Sequence, residues 1–254
     1  MIITVDLGNT ALTLGIYKDD QLIDRFSTMT DVGKTISEYQ LILQQFFDKT
    51  SSYKMEYEAI IISSVVPPLT RIIEEAFQNM FACPILMLGR KIKTGLAIHT
   101  DHPSEVGSDL VAASVGGIKK YNAPLVIADL GTATKIIAID QTGAFVGVTI
   151  APGLLISLQA LVGRASQLAD VNLEIPKNLI GRNTANSVNS GVLYGHAALV
   201  KGLASGVSLE LGIEKPIVLT GGYAKVLLPL LPDFIYDENL VLDGLYEIYL
   251  KNRG

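Results

Sequence analysis

The sequence predicts an α/β chain of two tandem, similar domains, each a mixed sheet with a β-meander and flanking helices. Three observations predict it. Val5-Asp6-Leu7-Gly8 recurs as Ala128-Asp129-Leu130-Gly131, an offset of 123 in a chain of 254 residues. Apolar residues make up 49% of the chain, a surplus that suits central strands covered on both faces. Strand-like apolar runs also alternate with segments of helical periodicity.

The repeat extends beyond the shared tetrapeptide. At the same offset Thr10-Ala11-Leu12-Thr13-Leu14 lies against Ala133-Thr134-Lys135-Ile136-Ile137, and Ile16 falls on Ile139. Both copies then reach a polar turn, Lys18-Asp19-Asp20 and Asp140-Gln141-Thr142-Gly143, and resume an apolar strand. Each copy reads as a strand, an Asp-x-Gly bend, a strand, a turn and a strand. A repeat near half the chain length implies two similar domains.

The other elements follow in order. Gly33–Asp48 reads as a helix with apolar Ile36, Tyr39, Ile42, Leu43 and Phe46 on one face. Ala59–Val66 reads as a buried strand, and Pro67-Pro68 opens a helix through Met80. Ile85–Leu88 is a short strand and Gly107–Lys120 a helix. After the second meander, across 125–150, Pro152-Gly153 opens a helix to Leu161, and a longer helix spans 185–211. A strand over 215–220 ends in the turn Gly221-Gly222, Tyr223–Leu228 starts a helix, and Asn239–Lys251 is the last one.

Composition excludes several classes. Mean hydropathy is +0.38, yet runs such as Ala59–Val66 and Val218–Leu231 are too short or too interrupted for a membrane span of about 20 residues. MIITVDLGNT carries no basic leader and no cleavage signal. One cysteine, Cys83, forbids an internal disulfide and suits a reducing compartment. Three histidines and one cysteine are a poor zinc set; His99 and His102 beside Asp101 offer at most a surface metal site. A net charge of −5 argues against nucleic acid as the main partner.

The residues with chemistry cluster at the strand ends. Asp6 is followed by Gly8, Asn9 and Thr10, where glycine admits a phosphate to the backbone and amide and hydroxyl donors hold its oxygens. A carboxylate beside them suits Mg²⁺, bound partly through water. Asp129, Gly131, Thr132 and Thr134 repeat that equipment, and two such acids facing one another suit phosphoryl transfer. Gly33-Lys34-Thr35 lacks the earlier glycine of a P-loop, and no G-x-G-x-x-G follows a strand. Gly221-Gly222 is either a nucleotide contact or a tight turn. Asp109 is either an acid favoured by a helix N-terminus or a general base for an attacking hydroxyl.

Eight segments, in order along the chain, carry a resemblance. They are Asp6-Leu7-Gly8-Asn9-Thr10, Ser63-Ser64-Val65-Val66-Pro67, Pro103-Ser104-Glu105-Val106-Gly107-Ser108-Asp109 and Asp129-Leu130-Gly131-Thr132-Ala133-Thr134. Ala151-Pro152-Gly153, Ile180-Gly181-Arg182-Asn183-Thr184, Thr220-Gly221-Gly222 and Leu242-Asp243-Gly244-Leu245 follow. The chain resembles the type III pantothenate kinases of the actin and sugar-kinase superfamily over nearly its whole length. The resemblance implies two ribonuclease-H-like (actin-like ATPase) domains, 1–117 and 118–254. It implies a cytoplasmic homodimer that phosphorylates pantothenate with ATP, Mg²⁺ and a monovalent cation, K⁺ or NH₄⁺, as the first step towards coenzyme A. Nucleotide contacts fall by analogy to Asp6, Gly8, Asn9, Thr10, Thr13, Thr132, Gly221 and Gly222. Pantothenate contacts fall to Gly107, Ser108, Asp109, Leu110 and Thr184, with Thr184 reaching across the dimer and Asp109 taking the proton. Asp6 and Asp129 are the metal residues, Asp129 for the monovalent ion.

Four places depart from the family's pattern. Leu110 replaces its usual Arg, Thr100 a Tyr, Lys135-Ile136-Ile137 a Thr-aromatic-Asp run, and Gly147-Val148 a Gly-Gly pair. A lost guanidinium costs about 1.5–3 kcal/mol per charged hydrogen bond, so acceptor binding is where the chain departs most. The alternatives are a diverged, weak or inactive homologue that binds a ligand or a protein, or a kinase for another small alcohol. Lys135 is either an outward-facing strand residue or an ammonium standing in for the monovalent ion.

Overall fold

The structure, a computed structural model, describes residues 1–49, 56–162, 173–214 and 216–253. The chain divides into two compact units. Met1–Leu96, His102–Lys120 and Asn239–Gly254 form the first, and Ala97–Asp101 with Tyr121–Glu238 the second.

In the first unit, β1 (Ile2–Leu7), β2 (Ala11–Lys18) and β3 (Gln21–Met29) form the expected meander, and β4 (Ala59–Ser64) and β5 (Ile85–Met87) extend it in the order β3-β2-β1-β4-β5. The meander pairs are antiparallel, while β4 runs parallel to β1 and β5 to β4. In the second unit, β6 (Leu125–Leu130), β7 (Ala133–Ile139), β8 (Phe145–Pro152), β9 (Val218–Thr220) and β10 (Ile235–Tyr236) adopt the order β10-β9-β6-β7-β8. Matching β6 with β1, and so on, makes the two orders identical, with the same mixture of parallel and antiparallel pairs. The repeat is therefore a repeat of topology.

Alternation sets which residues face the helices. Ile3, Val5 and Leu7 of β1 join Ile60 and Ile62 of β4 in one core with Tyr39, Leu43, Phe46 and Phe47 of α1 (Ile36–Lys49) and Leu69, Ile73 and Phe77 of α2 (Pro67–Met80). Asp6 and its register partner Ser63 consequently project from the opposite face. Likewise Val126, Ala128 and Leu130 of β6 pack with Leu154 and Leu158 of α4 (Leu154–Val162), and with Val188 of α5 (Thr184–Asn189) and Ala197 and Val200 of α6 (Gly195–Leu211). That leaves Asp129 on the other face of the second sheet.

Local signals explain the helix starts. Thr35 and Glu38 form a capping box at α1, with the Thr35 amide donating to Glu38 Oε2 at 2.8 Å and the Glu38 amide to Thr35 Oγ1 at 3.4 Å. Gly33-Lys34-Thr35 thus opens a helix, as the sequence suggests. The helix expected over 185–211 is two α-helices joined by a π-helical turn at Ser190–Tyr194. By length and composition the combined Thr184–Leu211 run, alone among the described residues, reaches what a membrane span needs. Val188, Val192, Leu193, Ala197, Val200 and Ala204 of this run join the second core.

The last helix, α8 (Leu240–Leu250), packs with the first unit, although the sequence reading groups 118–254 together. Tyr246 stacks on Tyr17 of β2 at 4.4 Å between ring centroids, and its hydroxyl donates to Asp20 at 2.8 Å. Lys120, near the end of α3 (Ser108–Tyr121), reaches Asp243 at 2.7 Å. Where α3 and α8 cross, Gly116 and Gly244 let the backbones touch. A Cβ on Gly244 would collide with the Ala112 carbonyl, and one on Gly116 with that of Leu240. Gly244→Ala should therefore destabilise the protein by about 1–3 kcal/mol or more, the usual cost of overpacking. Urea denaturation checks this, and an unchanged midpoint contradicts the close crossing.

Candidate active site

Each unit carries its candidate residues at the carboxyl end of its central strands. In the first unit Asp6 lies half-buried one residue before the end of β1. The bend after it is tight: the Gly8 amide donates to the Ala11 carbonyl at 2.9 Å, and Thr30 Oγ1 donates to the Gly8 carbonyl at 2.6 Å. Asn9 and Thr10 are exposed at its tip. Thr13 sits opposite Asp6 on β2 and shares a 3.2 Å hydrogen bond with Ser27.

Asp109 reaches the same sheet end through α3. Ser63 of β4, beside Asp6 in register, shares a 2.9 Å hydrogen bond with Ser108, whose hydroxyl also donates to the Ser64 carbonyl at 3.1 Å. Those contacts pin the first turn of α3 to the β1–β4 seam, so Asp6, Ser63, Ser108 and Asp109 share one neighbourhood. Asp109 Oδ1 accepts the Leu110 amide at 2.9 Å and lies over Gly107, where any side chain would meet it. Leu110 is 7% exposed. No local sequence signal points to the Ser63–Ser108 link, although both serines fall inside segments that carry the family resemblance.

In the second unit Asp129 lies one residue before the end of β6 with 8% exposure, beside Thr220 of β9 in register. Its cross-strand partner is Lys135, whose Nζ lies 2.6 Å from Asp129 Oδ2. The sequence alignment sets Thr13 against Ile136, but the pairing differs by one residue. Four residues separate Leu7 from Leu12 and only three separate Leu130 from Thr134, so Lys135 occupies the place of Thr13. Gly221 has φ +97°, and a Cβ there would lie 2.6 Å from Asp129 Oδ1. Its glycine is required by the tight turn, whereas a Cβ at Gly222 would meet open space. Gly153 packs against the carbonyls of Gly131 and Thr132, holding that loop down.

Two further positions complete the second unit. Thr184 is exposed in the first turn of α5, after Asn183, whose Oδ1 caps the helix by accepting the Asn186 amide at 2.8 Å. His196 of α6 shares a 2.7 Å hydrogen bond with Thr134, and both are buried. Burial pushes the imidazole below its ordinary value of 6.5 and keeps it neutral. A lone histidine in an apolar helix gave no hint of this contact. Thr100, at the position of the family's Tyr, is half-buried. Among the described residues no group of three or more His, Cys, Asp or Glu could hold a metal, so His99, Asp101 and His102 form no metal site.

The family model described as type III pantothenate kinase matches residues 2–206. A type III pantothenate kinase of Exiguobacterium is 38% identical over 254 residues, covering all of both chains. One of Geobacter sulfurreducens is 37% identical over 254 residues, again covering both chains completely. Among solved structures, MreB 5 of Spiroplasma citri bound to AMPPNP shares the fold, with a TM-score of 0.52 at 14% identity over 98% of this chain and 96% of that one.

The buried His196 makes stability depend on pH. The unfolded chain takes up a proton near pH 6.5 while the folded one resists, so its contribution is intact above that pH and is lost as the pH falls below it. Unfolding free energy should drop more steeply between about pH 7 and pH 5.5 in the unmodified protein than in His196→Gln. Equal slopes would contradict the assignment.

Proposed function

The chain belongs to the type III pantothenate kinase family, and we propose that it transfers the γ-phosphoryl group of ATP to pantothenate, giving ADP and 4'-phosphopantothenate on the way to coenzyme A. The observation that carries this reading is the cluster of Asp6, Ser63, Ser108 and Asp109 at one sheet end, in a chain aligned with its relatives over their full length.

The pantothenate hydroxyl oxygen bonds to the γ-phosphorus, the bond from that phosphorus to the β–γ bridging oxygen breaks, and ADP leaves. Asp109 accepts the hydroxyl proton as general base. The Leu110 amide, which donates to it, and the absence of a side chain at Gly107 orient its carboxylate. In the first unit the bend Gly8-Asn9-Thr10 and Thr13 suit phosphate oxygens; in the second unit Thr132 and Gly222 are candidate nucleotide contacts, and Gly221 holds the turn.

Asp6 suits Mg²⁺, because a strand-end carboxylate beside hydroxyls is a hard oxygen donor and this ion is bound by one or two carboxylates plus phosphates. The ion, when bound, neutralises charge on the phosphates. Leu110, apolar and buried, offers no paired hydrogen bonds to the pantothenate carboxylate, which Gly107 and Ser108, with Thr184 of a second copy across the dimer, are left to position. A homodimer fits the exposed Leu179, Ile180 and Leu209, which are 65%, 80% and 84% exposed, and Thr184 follows Ile180 by four residues. The single cysteine suits the cytoplasm.

Purified protein given ATP, Mg²⁺ and pantothenate should form ADP and phosphopantothenate in equal amounts. Asp109→Asn should lower kcat by about 10²–10⁴-fold with nucleotide affinity nearly unchanged. ATP hydrolysis without phosphopantothenate, or near-normal turnover in the variant, would refute the assignment.

A further inference from the structure

Asp129 is shielded from water, and its charge is balanced within its own unit. Its side chain is 11% exposed and that of Lys135 is 16% exposed, with 2.6 Å between Nζ and Oδ2. The backbone enforces the contact, since the two residues are register partners across β6 and β7 and directly opposed side chains on one face meet. The other carboxylate oxygen, Oδ1, faces glycine backbone, 2.6 Å from a Cβ placed on Gly221 and 3.6 Å from one on Gly131.

That arrangement does not fit a monovalent metal ion. Potassium at this carboxylate would compete with the ammonium for the same oxygen and would sit beside a like charge. Such repulsion grows as water is excluded. The first unit gives an internal comparison, because the residue opposite Asp6 is the neutral Thr13. A turn one residue shorter in the second unit brings Lys135 to that place.

We propose, building on the kinase reading, that Lys135 takes the place of a monovalent cation at Asp129, so that nucleotide binding and turnover need neither potassium nor ammonium. The ε-ammonium is a compact point charge on a flexible stem. It supplies the positive charge that the nucleotide phosphates and Asp129 require, and it does so permanently.

The test is calorimetric titration of the full chain with Mg·ADP in potassium chloride or choline chloride at equal ionic strength. The Kd of the unmodified protein should agree within about twofold between the salts, a difference well under 1.4 kcal/mol. Lys135→Thr should bind about tenfold or more tightly in potassium than in choline, as a free ion fills the vacated position. Lys135→Arg, which keeps the charge, should remain indifferent to the salt, and this variant decides the matter if Lys135→Thr does not fold. Potassium-dependent binding by the unmodified protein overturns the proposal alone, as does salt-indifferent binding by Lys135→Thr. Absence of binding in every salt overturns both the proposal and the kinase reading.

Discussion

Side-chain alternation along β1 and β6 governs where the chemistry of this protein sits. Ile3, Val5 and Leu7 are fully buried against α1 and α2, which forces Asp6 onto the opposite face one residue before the strand ends. A slip of one residue would press the carboxylate into a core that holds Phe46, Phe47 and Phe77. Burying an ionised carboxylate without a partner is costly enough to forbid that register. The second sheet applies the same rule through Val126, Ala128 and Leu130, which leave Asp129 on the other face. Hydrophobic burial thus positions both acids without any contact to the acids themselves.

From one shared plan the units diverge by small local changes. The parallel neighbour of each acid-bearing strand presents a small hydroxyl residue in register, Ser63 in one and Thr220 in the other. In the first unit that hydroxyl anchors the helix that carries Asp109. In the second the bend after the acid is one residue shorter, and a lysine moves into the position held by threonine. On the proposed reading the first acid meets a metal–phosphate complex, while the second is paired with Lys135.

Much of this was legible in the sequence, because repeated strand–bend–strand patterns and solid apolar runs are local signals. The Asp-x-Gly bends, the Pro67-Pro68 helix start and the glycine turn after β9 are set by residues next to each other in the chain. What escaped depends on residues far apart. The docking of α8 on the first unit rests on Gly116 meeting Gly244 and on Tyr17 meeting Tyr246, pairs that no window of sequence contains. Strand β10 has two residues and carries no periodicity of its own. The one-residue difference between the meander turns is invisible to an alignment at constant offset, although it decides that Lys135 faces Asp129. The Thr134–His196 bond likewise joins a strand to a helix 62 residues away.

The central claim is that two acids in equivalent positions have different tasks, Asp6 meeting Mg²⁺ and Asp129 meeting an internal lysine. The direct measurement is how strongly Mg²⁺ tightens ADP binding in Asp6→Asn and in Asp129→Asn, relative to the unmodified protein. The account predicts that Asp6→Asn loses most of the Mg²⁺ enhancement while Asp129→Asn keeps it. Loss of the enhancement in Asp129→Asn, with Asp6→Asn unaffected, would contradict it.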